Sequence, residues 1–395
     1  MLSQFHLARG ERHDAGLQLT NIGLTHLYEG RYSEGAEASL ASSRLFACLG
    51  ETERATQAQQ NRGLCLWGVG RLPEALRIFT RAVAQVSPVA FPSAYVAALN
   101  NTALANYALG NFDESLRWHD RALQFASEIQ RPRSEAQSLY GLGVTYNALG
   151  DRERARQYLE RAVAIRTVAL DGRGRMATLR ALATVYAEQG RLAGAIAADR
   201  DAAALAIAPS AAARIRIQSA IHSDAAGHRD EAVREVDGPL APGTVSDPLI
   251  RAEALLERAV LLREAGDHAG APRDLAAATP RLRETGGLGG EFAAAIEAAR
   301  DLRALGREAE ALVAVEHALS MESAIRLQSA NPELRMQLQA PLRPAYDLKL
   351  DLLWERRERE RRAGHLDEVR RLATVAFDCA DASRAQTFAE VAAQR

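Results

Sequence analysis

Glycine recurs at a fixed spacing through the first half of the chain. Gly30, Gly70, Gly110, Gly150 and Gly190 are each forty residues apart, and a looser series continues through Gly227, Gly266 and Gly306. Each of these glycines lies between two stretches whose apolar residues recur at helical spacing. A period of this length is typical of stacked supersecondary units that pack only on their neighbours. The chain is therefore predicted to be a repeat array and not a single globular enzyme core.

The unit is clearest around Gly150. Leu142 and Tyr146 lie on one face of a predicted helix, and Gly150 provides the left-handed residue that commonly ends a helix. A second apolar face follows, marked by Ala155 and Leu159. The pattern predicts two antiparallel helices per unit and an all-α fold.

At these residues the chain resembles a known family. The run Leu142-Gly-x-x-Tyr-x-x-Leu-Gly150 resembles the first-helix signature of tetratricopeptide repeats, and residues 99–116 are similar to the longer-helix variant of kinesin-light-chain-like and bacterial sensor arrays. The resemblance covers about residues 16–320 and weakens after Ala202. It implies a right-handed α-solenoid of tetratricopeptide-like helix-turn-helix repeats with a period of about 40 residues, and a role in binding proteins or peptides.

Composition narrows the function classes. The formal net charge is −1, so no global field favours nucleic acid or an anionic membrane. No stretch approaches the roughly 20 apolar residues of a membrane span, and no signal-peptide core is visible. Three scattered cysteines do not indicate a disulfide framework. A cytoplasmic protein without membrane contact is expected, and nucleic acid is an unlikely partner.

Motifs for catalysis are missing from the sequence. Lys349 is the only lysine, which excludes a Gly-x-x-x-x-Gly-Lys phosphate loop, and His-Glu-x-x-His and Gly-x-Ser-x-Gly do not occur. Gly172-Arg-Gly-Arg-Met-Ala177 lacks a preceding strand and is interpreted as a turn between repeats. His222 and His228 are interpreted as surface residues, and Cys48 and Cys65 as small buried ones. We expect no enzyme activity, no cofactor and no metal.

Asparagines share the register of the glycines. Asn21, Asn61 and Asn101, here called the asparagine ladder, occupy one position in three successive first helices. First helices of such arrays line the concave groove, and a side-chain amide can both donate to and accept from the backbone of an extended peptide. The family resemblance implies such contacts. The series breaks at Gly141 and Ala181. The alternative is that these amides bond between adjacent helices.

Side chains beside the asparagine ladder would then contact the peptide's side chains and determine which sequences bind. These candidates are Gln57, Gln60, Trp67, Asn100, Tyr107, Gln137, Tyr140, Asn147 and Arg180.

Domain boundaries follow from loss of the period and from turn residues. The segments expected are an array of about six repeats over 1–237, a linker over 238–247, degenerate repeats over 248–320 and C-terminal helices over 321–395. Residues 342–353 and 377–388 resemble the helices that join tetratricopeptide arrays to a CHAT domain, a caspase-like cysteine peptidase domain. The last helix, Ala-rich and without a polar cap, predicts a covering partner chain or a natural polypeptide that continues.

Three functions therefore stay open at the level of sequence. The favoured one is a non-enzymatic peptide-binding or protein-binding module, a sensor or regulatory scaffold in a bacterial signalling or effector system. In the second, the chain is the regulatory segment of a caspase-like protease whose catalytic domain lies beyond Arg395. In the third, it is the effector-sensing region of a transcription regulator.

Overall fold

The computed structural model describes residues 2–267, 270–285, 287–321 and 342–393. Every regular element in these ranges is a helix, so the all-α prediction is confirmed. The helices are α1 (Leu2–Tyr28), α2 (Tyr32–Cys48), α3 (Thr52–Gly68), α4 (Leu72–Gln85), α5 (Pro92–Ala108), α6 (Phe112–Glu128), α7 (Pro132–Ala148), α8 (Arg152–Val168), α9 (Gly172–Glu188), α10 (Leu192–Ala204), α11 (Pro209–Ala225), α12 (Arg229–Leu240), α13 (Pro248–Glu264), α14 (Gly270–Thr285), α15 (Gly287–Ala304), α16 (Glu308–Ser320), α17 (Leu342–Ala363) and α18 (Leu366–Ala393).

The recurring glycine ends the first helix of each pair. All eight glycines of the series, from Gly30 to Gly306, have φ between 72° and 86°, the left-handed region that glycine enters without steric penalty. After Gly110 the Asn111 N–H donates to the Asn106 carbonyl at 2.9 Å, which closes the turn as in a Schellman motif. The predicted role of the glycine is confirmed.

Helix length explains the forty-residue period. Each helix from α5 to α9 has 17 residues, and three residues join one helix to the next. Three second turns of the first unit also require a left-handed residue, which is Gly50 after α2, Gln130 (φ 53°) after α6 and Leu170 (φ 51°) after α8. That second requirement carries no glycine signature, so the sequence did not reveal it.

Small residues let the two helices of a pair approach closely. A Cβ added to Gly63 would lie 2.5 Å from the Phe79 ring, and one added to Gly143 would lie 2.6 Å from Leu159. Both distances are shorter than real Cβ contacts. Phe79 and Leu159 are fully buried as a result, and they form the centre of the core in their repeats.

The chain divides into two compact units at Gly190. In the first unit, residues 2–189, α3, α5 and α7 each pack between two even-numbered helices, and successive odd-numbered helices also touch one another. The first helices of the repeats therefore form one continuous layer, called here the odd-helix face.

The second unit, from Gly190 onward, contains α10 to α18. The predicted linker 238–247 lies inside it: residues 238–240 belong to α12, which ends at Leu240, and Val245 is buried against Ala213 and Ile250. The predicted C-terminal helices over 321–395 include α17 and α18, and Pro344 lies in the first turn of α17.

Candidate peptide-binding face

The asparagine ladder lies on the odd-helix face of the first unit. Asn21 is exposed on α1, whereas Asn61 on α3 and Asn101 on α5 are half-buried. Among the described residues neither Asn21 nor Asn61 has a hydrogen-bond partner for its side chain. Asn101 donates through Nδ2 to Gln60 Oε1 at 3.0 Å. Asn101 thus fits the alternative in which the amide bonds between adjacent helices. The side-chain donor and acceptor of Asn21 and Asn61 both stay available to a ligand.

The ladder ends at Gly141 for a steric reason. A Cβ at this position would lie 2.2 Å from both Cε1 and Nε2 of His119, so the imidazole takes up the space that a side chain would need. His119 is buried on α6, and this burial lowers its pKa to about 3, so the ring is neutral. Its Nδ1 lies 3.0 Å from Asn100 Oδ1.

Asn100 is consequently an internal residue. Its Oδ1 also accepts from Ser138 Oγ at 3.1 Å, which joins α5, α6 and α7, and only 7% of Asn100 is exposed. Gln60 is buried to a similar degree, at 6% exposed. Sequence reasoning placed both side chains in the groove; the structure buries them among the helices, where other side chains already bind them.

Arg166 organises the next part of the face. It is 3% exposed on α8 and donates to the Gly174 carbonyl and, at 2.8 Å, to Gln137 Oε1. Its guanidinium also lies over the Tyr140 ring, 5.5 Å from the centroid. Burial lowers the pKa of Arg166. Gln137 and Tyr140 are therefore held in place by a buried cation that sequence reasoning did not identify.

The remaining candidates surround the ladder. Trp67, Tyr107 and Asn147 occupy one repeat position on α3, α5 and α7, and all three are half-buried. Trp67 Nε1 and Asn147 Oδ1 are shielded from solvent and have no hydrogen-bond partner within the described residues. Gln57 and Arg180 are exposed on α3 and α9. The face therefore exposes the polar side chains of Asn21, Gln57 and Arg180, whereas the Trp67 Nε1 and Asn147 Oδ1 atoms lie beneath its surface.

Several expectations about other residues were wrong. His222 is not on the surface: it is 5% exposed, and its Nδ1 lies 2.7 Å from the buried Asp199 Oδ2. Cys48 is exposed, although Cys65 is buried, and burial raises the pKa of the Cys65 thiol to about 11.

The Gly172–Ala177 segment is not a turn. It begins α9, and Asp171 caps this helix by accepting from the Gly174 N–H at 3.0 Å.

The described ranges contain neither a candidate metal site nor a candidate membrane-spanning helix. No group of three or more His, Cys, Asp or Glu side chains there could hold a metal ion. None of the described helices combines the length and the apolar character needed to cross a membrane.

Comparison with family models identifies the repeats. Residues 61–128 and residues 95–167 each match a model of the tetratricopeptide repeat, so the central part of the first unit consists of such repeats. No curated protein matches the chain.

Solved structures extend the likeness in fold over most of the chain. The apo form of the quorum sensor NprR from B. thuringiensis is 11% identical with a TM-score of 0.57, over 92% of this chain and 97% of that one. A STAND protein with a tetratricopeptide repeat sensor from Pyrococcus horikoshii is 14% identical with a TM-score of 0.54, over 67% of this chain and 42% of that one. A Rap protein complexed with Competence and Sporulation Factor is 11% identical with a TM-score of 0.50, over 94% and 99%.

Proposed function

We propose that the odd-helix face of the first unit binds an extended peptide or protein segment. The observation that carries this proposal is Asn61, a half-buried amide that has no hydrogen-bond partner among the described residues and lies in register between Asn21 and Asn101. A half-buried amide is most stable when both its donor and its acceptor are used. A peptide backbone offers both groups in every residue.

The spacing of the ladder suits a short extended segment. Helices in contact lie about 8–10 Å apart, and an extended chain rises about 3.3 Å per residue. One asparagine would therefore meet about every third peptide residue, and the ladder would hold about six residues. Since amides bind backbone, the ladder itself would tolerate many sequences.

Sequence preference would come from the side chains beside the ladder. Trp67 offers the accessible part of a half-buried apolar ring, and Asn147 is a half-buried amide at the same repeat position. Arg180 and Gln57 add exposed polar contacts at the margins.

The proposed biological role is a non-enzymatic sensor or regulatory scaffold in a bacterial signalling or effector system, acting in the cytoplasm. Tetratricopeptide repeats in the chain support a scaffold role. Two of the similar folds are described as a quorum sensor and as a Rap protein in complex with a signalling factor, which agrees with a sensing role here. Binding would then act by favouring one arrangement of the repeats over another.

Selection of peptides provides the test. A random heptamer library displayed on phage is panned against the full chain, and the affinity of enriched peptides is measured by fluorescence anisotropy. We expect Asn61→Ala to weaken binding at least about tenfold with unchanged helicity by circular dichroism. Gln124→Ala, an exposed amide on α6 of the even-numbered layer, is the matched control and should bind like the wild type. Failure to enrich any peptide, or equal binding by Asn61→Ala, would contradict the proposal.

Regulation of an attached peptidase is the second candidate. It needs an apolar surface on the C-terminal helices, and Trp354, Leu366 and Phe377 are 58%, 61% and 63% exposed there. The coding sequence after Arg395 decides the matter. A strand-rich region with one His and one Cys would support it, and a reading frame without one would refute it.

A further inference from the structure

A polar cavity lies between three helices of the first unit. It has a volume of about 520 Å³ and is bounded by α2, α3 and α4. Its lining includes Gln59, Arg62, Arg77, Arg81 and Gln85. A volume of this order is typical of small-molecule sites.

The cavity replaces a piece of hydrophobic core. Forty residues further along, the space between α4, α5 and α6 is filled by Tyr95, Leu99 and Phe125, with the Tyr95 and Phe125 rings 5.1 Å apart. The equivalent positions around the cavity hold Ala55, Gln59 and Gln85.

A second set of replacements makes the cavity polar. Gln59 corresponds to Leu19, Leu99, Leu139 and Leu179 in the other repeats, and Arg62 corresponds to Leu142 and Leu182 in two of them. Leu99, Leu139 and Leu142 are fully buried core residues. In this repeat, small or polar side chains thus stand where other repeats have large apolar ones. The smaller side chains leave the cavity open, and the polar ones line it.

Charge in the cavity is unbalanced. Among the described residues, Arg62, Arg77 and Arg81 have no ion pair and no hydrogen-bond partner. The one carboxylate in the lining, Glu74, is already paired with Arg71 at 2.6 Å. This bond is the main cause of the lowered pKa of Glu74, and the charges of Arg62 and Arg77 lower that pKa only from a longer distance. Three free guanidinium groups favour an anion, since arginine binds phosphate and carboxylate through paired hydrogen bonds.

The neighbouring repeat also indicates the shape of the ligand. Arg121, which corresponds to Arg81, lies over the Trp118 and Tyr95 rings at 5.5 and 5.8 Å and donates to the Tyr95 hydroxyl. Arg81 lacks both rings, because Ile78 stands in place of Trp118 and Ala55 in place of Tyr95. We infer that the cavity binds a small planar organic anion of about mononucleotide size, whose ring occupies the space of the missing tyrosine and whose anionic group contacts Arg62, Arg77 and Arg81.

Calorimetric titration with defined probes tests this inference. AMP and salicylate represent the two sources of a planar anion, a nucleotide and an aromatic carboxylate; adenosine carries the ring without the charge, and pyrophosphate the charge without the ring. We expect AMP or salicylate to bind, and adenosine and pyrophosphate to bind at least about tenfold more weakly. No binding of AMP or salicylate at millimolar concentration, or equal binding of pyrophosphate, would overturn the inference.

Variants locate the binding within the cavity. Arg81→Gln should weaken binding at least about tenfold, whereas Arg161→Gln, the same repeat position on α8, should leave it unchanged. The triple variant Ala55→Tyr, Gln59→Leu, Gln85→Phe copies the filled repeat and should abolish binding without lowering the thermal unfolding midpoint. Full binding by Arg81→Gln, or by the folded triple variant, would place the ligand elsewhere and refute the assignment.

Discussion

His222 Nδ1 lies 2.7 Å from Asp199 Oδ2, and both side chains are buried between α10 and α11. The pair joins two helices at the start of the second unit, where the glycine period has loosened and few large apolar side chains are available. Polar contacts therefore carry part of the packing that leucine and tyrosine provide in the first unit.

Removing one partner of this pair should destabilise the second unit. Asp199→Ala leaves a buried imidazole without its acceptor, and we expect a loss of about 3 kcal/mol in the free energy of unfolding. Urea denaturation followed by circular dichroism measures it. Asp201→Ala, an exposed carboxylate on the same helix, serves as the control and should change stability little. Equal effects of the two variants would show that the buried pair contributes nothing specific.

Substitutions at two left-handed turn residues should change the stability of the protein in opposite directions. Gly110→Ala forces a side chain into a left-handed turn with φ of 79° and should destabilise the protein by about 1–2 kcal/mol. Leu170→Gly relieves the same strain at φ 51°, and since Leu170 is 87% exposed, little packing is lost. It should stabilise by about 0.5–1 kcal/mol. A fall in the unfolding midpoint for Leu170→Gly would contradict this reasoning.

Contact with His119 makes Gly141 intolerant of a side chain. Gly141→Ala should destabilise by about 1–3 kcal/mol, because neither the buried imidazole nor its bond to Asn100 leaves room for a methyl group. Gly172→Ala is the control: it begins α9, and no atom lies within 4 Å of the added Cβ. Thermal unfolding should separate the two, and similar midpoints would mean that His119 moves aside easily.

Glu257 on α13 predicts a pH dependence in the second unit. Burial, helped by the nearby Glu297 and Asp224 carboxylates, raises its pKa from 4.5 to about 7. The folded state therefore holds a proton that the unfolded state releases between these values, so stability should fall as pH rises from about 4.5 to 7 and then level off.

Replacing this carboxylate should remove that dependence. Glu257→Gln should be more stable than the wild type at pH 8, by at most about 3 kcal/mol, and should differ little at pH 4.5. Unfolding midpoints measured across this pH range check the result. Parallel curves for the two proteins would assign the pH dependence to another group.

The sequence predicts the architecture well because the turn glycines and the apolar period act locally. The left-handed turn at Gly110 and the seventeen-residue helices follow from the chain alone. Contacts between residues that are far apart in the sequence do not follow from it. The burial of His222 depends on Asp199 in another helix, and the break at Gly141 depends on a ring from α6.

The cavity was also readable in principle from the repeat register. Gln59 and Arg62 stand where the other repeats mostly have leucine or another apolar residue, but only comparison of equivalent positions exposes the difference. A search for catalytic motifs passes over it. The ladder, by contrast, was found through such a comparison, although Asn100 and Gln60 were placed in the groove without knowledge of their partners.

The hollow interface between α2 and α4 also bears on how the array comes apart. In a linear stack, each junction contributes its own stability, and helices that share a junction tend to open together. A molecule bound in the cavity would contact α2, α3 and α4 at once. It should therefore slow hydrogen exchange of the amide protons in these three helices together, and leave the exchange of α7 and α8 unchanged.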